Sequence, residues 1–334
     1  MKSRIPLHVI VVLPFLLVCL ALPVGAATDD DPHAIAARAF EMRMDGQTDQ
    51  AIQLLEDSLD KTPEAGVLHF ELARAHLLLL SFDEMYQEAN AAVSHEPENN
   101  EFGYFAAMAS AYALIDAAHH GDQDRMKDLG RESLAHLDAI LARDPEDCRA
   151  RCFLVQLSTD MAPELGLQVE DPEKHVVLLE EKDPILGAKA RCCLVDQAHQ
   201  REVWERILTD YPGDCRALSE AAAGLIQAGD LDLAEKCLDE VITKDSQMTY
   251  GLLGLGLAHF RRQDWARAEA LTRRYLATDP PLALKAYATG RLGMIHQRMG
   301  DKDGAKELGA AARKLDPHVW LTVMPPPEEI FSPI

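Results

Sequence analysis

The chain's 334 residues are 48% hydrophobic but only 6% aromatic, and they carry a net charge of −22. That length can hold two or three domains or one long array, with a core made mostly of Ala and Leu. So acidic a surface repels nucleic acid and anionic lipid, which excludes both as partners.

In chain order, Lys2 and Arg4 precede an apolar run from Val9 to Leu22, which ends in Pro23-Val24-Gly25-Ala26-Ala27. Basic start, apolar middle and small exit residues are the parts of a cleavable secretory leader, expected at 1–26. Its removal takes two positive charges and no acid, moving the net charge from −22 to −24. The competing reading is an uncleaved anchor, which is the one membrane contact the sequence allows. Lipidation at Cys19 is disfavoured by Val18, where the lipid-attachment motif wants a small residue. The expected location is periplasmic or secreted, in a bacterial envelope.

From residue 32 a spacing recurs. The first unit runs Ile35, Ala39, Met42, Gly46, Ala51, Leu55, Pro63, and the second Leu72-Ala73, His76, Met85, Ala89, Pro97. Next come FGYFAAMASAYALIDAAHH, the turn Gly121-Asp122 and RMKDLGRESLAHLDAILARD, a helix pair 14 residues longer than the period. Such a pair projects roughly 10 Å beyond its neighbours. It reads as tolerated length variation, or as a contact arm for a partner or for self-association. Residues 146–212 lack the glycine turns and carry Pro163 and Pro172, so one pair there is expected to be distorted and the next shortened. The pattern returns with Ala234, then Leu252, Leu255-Gly256, His259, Ala268, Thr272, Pro280, and again with Leu292-Gly293, His296, Ala305, Gly309, Pro317. Pairs are expected to close at Pro63, Pro97, Pro145, Pro184, Pro212, Ser246, Pro280 and Pro317, making eight across 27–317. Residues 318–334 are a capping segment and tail: HVWLTVM starts one more helix whose Trp320 covers the last pair, and PPPEEIFSPI is extended.

The physics of this spacing is that two antiparallel helices approach closely where small residues face each other. Gly256 and Gly293 on first helices, and Ala51, Ala234, Ala268 and Ala305 on second helices, occupy those points, while Leu72, Leu255 and Leu292 fill the groove between. Proline ends a pair, and Gly46, Gly229 and Gly300 close first helices in the left-handed conformation. The pattern resembles the tetratricopeptide repeat, whose W-x2-L-G-x2-Y, A-x3-F, P signature spans about 34 residues. The resemblance covers nearly the whole chain from 32 to 317 and is weakest at 146–212. It implies an all-α right-handed solenoid of about eight antiparallel helix pairs.

Catalytic signatures such as HExxH, GxSxG, a phosphate-cradling glycine loop and CxxC are missing, so the sequence suggests no enzyme, cofactor or metal site. His76, His259 and His296 recur where the family often has Tyr and read as half-buried packing residues. His119-His120 sits at the tip of the long pair. Cys148, Cys152, Cys192, Cys193, Cys215 and Cys237 are even in number, and Cys148 and Cys215 begin the matching phrases PEDCRA and PGDCRA. In an exported chain this suggests at least one disulfide stapling the irregular middle, although Cys192 and Cys193 are too close in sequence to pair with each other.

The resemblance also implies a concave face lined by the first helices, on which partner-binding residues fall. Carried over, these are Phe40, Arg43 and Met44, then Phe70, Arg74 and Leu77, then Tyr250, Leu257, Phe260 and Arg261, and finally Tyr287, Met294 and Arg298. Family members that grip a C-terminal carboxylate carry Lys and Asn at two of these positions, but the pairs here are Ala36/Phe40, Phe70/Arg74, Ser219/Ala223 and Leu253/Leu257, so that function is not expected. The expected function is a non-enzymatic scaffold that binds a protein or peptide in the cell envelope. The alternative is a binder of apolar small molecules, similar to the repeat component associated with some periplasmic solute (TRAP-type) transporters.

Overall fold

The computed structural model describes residues 31–318 except Gln168 and Gln247, without the side chains of Ile115 and His119. The leader, the Trp320 cap and the proline-rich tail therefore lie outside the described residues.

Among the described residues all regular structure is helical, and the eight expected pairs are present. They are α1 (Pro32–Met44) with α2 (Thr48–Leu59), α3 (Gly66–Leu78) with α4 (Phe82–His95), and α5 (Asn100–His120) with α6 (Gln123–Arg143). Then α7 (Cys148–Asp160), the single turn α8 (Ala162–Leu165) and α9 (Pro172–Lys182) form the distorted pair. The chain continues with α10 (Pro184–Leu194) and α11 (Gln197–Asp210), α12 (Cys215–Ala228) and α13 (Leu231–Lys244), α14 (Gly251–Arg261) and α15 (Trp265–Leu276), and α16 (Leu282–Met299) and α17 (Lys302–Leu315). Helices α5 and α6 have 21 residues each, which is the expected lengthening.

Aspartate starts helix after helix. Asp122, Asp147, Asp214, Asp230, Asp264 and Asp301 each accept a hydrogen bond from the backbone N–H three residues on. Each satisfies a donor the helix leaves open and places negative charge at its positive end, so part of the acidity is helix capping. Gly46, Gly121, Gly229 and Gly300 close first helices with φ of 73°, 73°, 84° and 89°. Where glycine is missing from the equivalent turns, Leu80 (φ 53°) and Gln263 (φ 62°) are held in the same region.

Two expectations need correction. Pro184 opens α10 instead of closing a pair, because Asp183 ends α9 and caps α10 with no linker between them. A proline costs nothing in a first turn, whose N–H groups have no helical acceptor. The tightest approaches also lie away from the expected glycines. A Cβ on Gly256 would stand 3.4 Å from Thr272 Oγ1, an ordinary contact, and one on Gly293 would stand 3.3 Å from the Ala305 carbonyl oxygen. On Gly187 it would meet the Glu180 backbone at 2.7 Å, and on Gly224 it would meet Trp204 Nε1 at 2.2 Å. Leu72, Leu255, Leu292, Ala51, Ala234 and Ala268 are buried as expected.

The chain divides into two compact units. A middle unit holds residues 97–255. A terminal unit joins residues 31–96 to residues 256–318, the boundary falling inside α14. Within the terminal unit the first pair meets the last: α1 packs against α16, Gly46 lies beneath the Leu315 carbonyl, and His318 stands 2.8 Å from the Asp49 carboxylate. The spacing gives no hint of this contact, since it specifies only neighbours along the chain.

Candidate functional site

In the terminal unit the expected partner-binding residues divide between buried, half-buried and exposed positions. Arg43 has no exposed surface, and Phe70, Arg74 and Met294 are buried. Arg43 donates to Glu71 Oε1 at 2.7 and 3.0 Å, and Arg74 donates to Glu71 Oε2 at 2.9 Å. The ring of Phe40 lies 5.1 Å from each guanidinium, and Phe70 lies 5.5 Å from that of Arg74. One buried carboxylate between two buried arginines knits α1 to α3, and burial keeps Arg43 from the surface a partner would meet. Phe260 meets Trp265 edge-on at 5.1 Å and packs with Tyr287 and Leu315 around Ala286, Met294 and Ala312. Arg291 holds the Tyr287 hydroxyl at 2.9 Å. Leu257, and Tyr250 of the middle unit, are half-buried, so of the thirteen expected residues only Arg261 and Arg298 are fully open to solvent.

The recurrent histidines have a local explanation. His259 Nδ1 lies 3.1 Å from Asp264 Oδ2, and His296 Nδ1 lies 2.7 Å from Asp301 Oδ2. In both pairs the first helix's histidine holds the capping aspartate of the second. Position 81, which would be the counterpart for His76, is Ser81.

The six cysteines are free thiols, which corrects the disulfide expectation. Burial pushes Cys152 and Cys192 up to about 12 and Cys237 up to about 11. Such thiols carry almost no thiolate at neutral pH and behave as small apolar packing groups.

The middle unit carries a connected cluster of its own, from residues the spacing did not single out. On its first helices, Arg149 (α7) reaches Glu101 (α5) at 3.0 Å with its guanidinium 5.5 Å from the ring of Tyr104, whose own centroid is 5.5 Å from Phe153. One step along, Lys189 (α10) donates to Glu220 (α12) at 3.0 Å, and Arg216 pairs with Asp183. These groups stay accessible: the Arg149 side chain is 52% exposed, and those of Lys189 and Glu220 are each 29% exposed. Burial pushes the Tyr104 hydroxyl up to about 12, with Lys189 opposing. Burial works against the Lys189 ammonium, but Glu220 and its neighbours outweigh it and hold the pKa above the usual lysine value. The site is thus a row of half-exposed aromatic and paired charged groups crossing four first helices. A signal for it was present in PEDCRA and PGDCRA. Their shared arginines, Arg149 and Arg216, make equivalent ion pairs back to the preceding first helix, while the cysteines beside them only pack.

A family model described as tetratricopeptide repeat matches residues 220–283, from within α12 to the start of α16. No curated protein matches the chain. Among solved structures it is similar to a tetratricopeptide repeat protein from Parabacteroides merdae, with 14% identity over 86% of this chain and 98% of that one and a TM-score of 0.37. It is also similar to PilW, a type IV pilus biogenesis factor, with 16% identity, 86% and 94% coverage and a TM-score of 0.31. Yeast Tom70 gives 12% identity, 86% and 77% coverage and a TM-score of 0.35. Residues 220–283 thus match the tetratricopeptide repeat, and they lie inside a chain of eight antiparallel helix pairs that is similar in fold to solved structures of such repeats.

Proposed function

We propose that the protein is a non-catalytic scaffold that binds a polypeptide partner on the first-helix face of its middle unit, at Tyr104, Arg149, Phe153, Lys189 and Glu220. What supports this is the half-exposed cluster of Arg149 with Tyr104 and Phe153. Aromatic and arginine side chains supply large, rigid contact area, and they dominate binding energy where a partner excludes water from them. The cell-envelope location rests on the leader at 1–26. N-terminal sequencing of the protein from its native host is expected to find a start near residue 27, and a retained Met1 would count against it.

The test is site-specific photocrosslinking in that host. A photoreactive phenylalanine analogue at Phe153 is expected to trap a defined protein, one at Leu178 on second helix α9 is not, and Arg149→Ala is expected to abolish the Phe153 product. Equal trapping at both positions, or none at Phe153, refutes the assignment. The alternative of an apolar small-molecule carrier finds no support in the middle unit's pocket of about 640 Å³, whose lining includes Arg131, Asp138 and Glu170.

A further inference from the structure

That pocket exists because two irregularities meet. Where α7 would turn directly into its partner, the chain makes α8, closes it on left-handed Gly166, and runs to the Asp171 cap of α9. Leu165 and Leu167 from this stretch come down on Gly130 of the long helix α6, where a Cβ would stand 2.8 and 3.0 Å from their methyl carbons. The extra length of α6 is therefore covered by the extra turn of the next pair. The two do not meet everywhere, and the space left between them is within the range that takes a metabolite-sized ligand.

The floor of the pocket is Leu134, Leu154, Ser158 and His175, all less than a tenth exposed. Arg151 Nη1 lies 3.0 Å from His175 Nδ1. A guanidinium can only donate, so Nδ1 accepts and the neutral ring carries its proton on Nε2. Burial, with Arg151 beside it, keeps the ring below its ordinary pKa and so neutral. Nε2 is buried and has no hydrogen-bond partner among the described residues. Glu170 Oε2 is 3.6 Å away, too far to accept. A buried donor left unmade in a folded protein calls for an acceptor. On the rim, Arg131 is paired with Asp128 at 2.7 Å and Glu170 with Lys174 at 3.0 Å. Asp138 makes no ion pair with any described residue, and partial desolvation, with Glu170 nearby, pushes its carboxyl up, which a bound cation would reverse.

We propose that this pocket binds a small organic cation of the amino-alcohol type. The ammonium sits against Asp138, the oxygen accepts from His175 Nε2–H, and the hydrocarbon lies on Leu134 and Leu154. The acidic surface of the whole chain favours the approach of such a cation. The site uses none of the residues assigned to the polypeptide partner, so either assignment can fail without the other.

The test is calorimetric titration of the full chain with 2-amino-1-phenylethanol, beside the neutral isostere 1-phenylethane-1,2-diol and the acid mandelate. The amine is expected to saturate one site, with the diol about tenfold weaker and mandelate not binding. Asp138 is exposed, so Asp138→Asn keeps the fold and is expected to weaken the amine about tenfold. His175 is buried and is best read without substitution: its imidazole NMR resonances are expected to shift as the amine saturates. Lack of saturation by about 10 mM, equal binding of the diol or mandelate, an unchanged affinity in Asp138→Asn, or unmoved His175 resonances would each overturn the site.

Discussion

The terminal and middle units are made of the same helix pair and differ in what lies between their helices: a sealed charged set in one, a pocket in the other. In the terminal unit, where the spacing is regular, a charged set is sealed away: Arg43, Glu71 and Arg74 are buried together, while Phe260 and Tyr287 stay half-buried beside Met294, and Arg261 and Arg298 are exposed. In the middle unit, where the spacing breaks, Arg149, Tyr104, Phe153 and Lys189 remain half-exposed, and a misfit between α6 and the α8–α9 connection leaves a pocket. A strict repeat is a solution to packing, and every position it fixes is a position used. The departure from the repeat at α8 is where space is left over for a ligand.

This contrast can be broken by substitution. The largest effect is expected in the terminal unit from Glu71→Gln, which leaves two buried guanidinium groups facing an uncharged amide. A loss of about 3–5 kcal/mol follows if the set is sealed from water, measured by urea unfolding, whereas a loss below about 1 kcal/mol would mean the arginines are solvated. In the middle unit Gly187→Ala forces a methyl into the Glu180 backbone, with an expected cost of about 1–3 kcal/mol. Gly256→Ala, with its nearest neighbour at 3.4 Å, is expected to be neutral or slightly stabilising through helix propensity. Reversal of that order would show that the regular repeat holds the tighter approaches. Gln263→Gly relieves a left-handed turn that the repeat elsewhere gives to glycine, with an expected gain of about 1 kcal/mol in the same assay.

The smallest effect concerns pH. Burial holds His136 and His175 of the middle unit below the ordinary histidine pKa. The folded state then binds fewer protons than the unfolded chain, so the stability they confer is complete above about 6.5 and declines as pH falls through that value. In the terminal unit His76 is lowered in the same way, but the hydrogen bond His69 donates to Glu88 raises His69, whose contribution is present at acid pH and lost as pH rises through its folded pKa. Hydrogen exchange at about pH 7.5 and 5.5 is expected to show the middle unit losing more protection than the terminal one. Equal losses would remove this distinction.

How much of this was legible in the sequence follows from the range of the interactions. The helix pairs, their number, the glycine turns at Gly46, Gly229 and Gly300, and the distortion around Pro163 and Pro172 are set by contacts within a repeat, and helical periodicity and backbone stereochemistry record such contacts directly. The first-helix register also located Phe40, Arg43, Phe70 and Arg74 correctly on α1 and α3. It could not say that Glu71, one residue from Phe70, would gather both arginines into the interior, because burial depends on what the facing helix brings. Tyr104, Arg149 and Phe153 escaped notice because their repeats are irregular and the register could not be carried through them. The meeting of α1 with α16, the cover that Leu165 and Leu167 place over Gly130, and the donor left over on His175 were decided only in three dimensions. Each depends on segments far apart in the chain being brought to one place, and no local pattern encodes that.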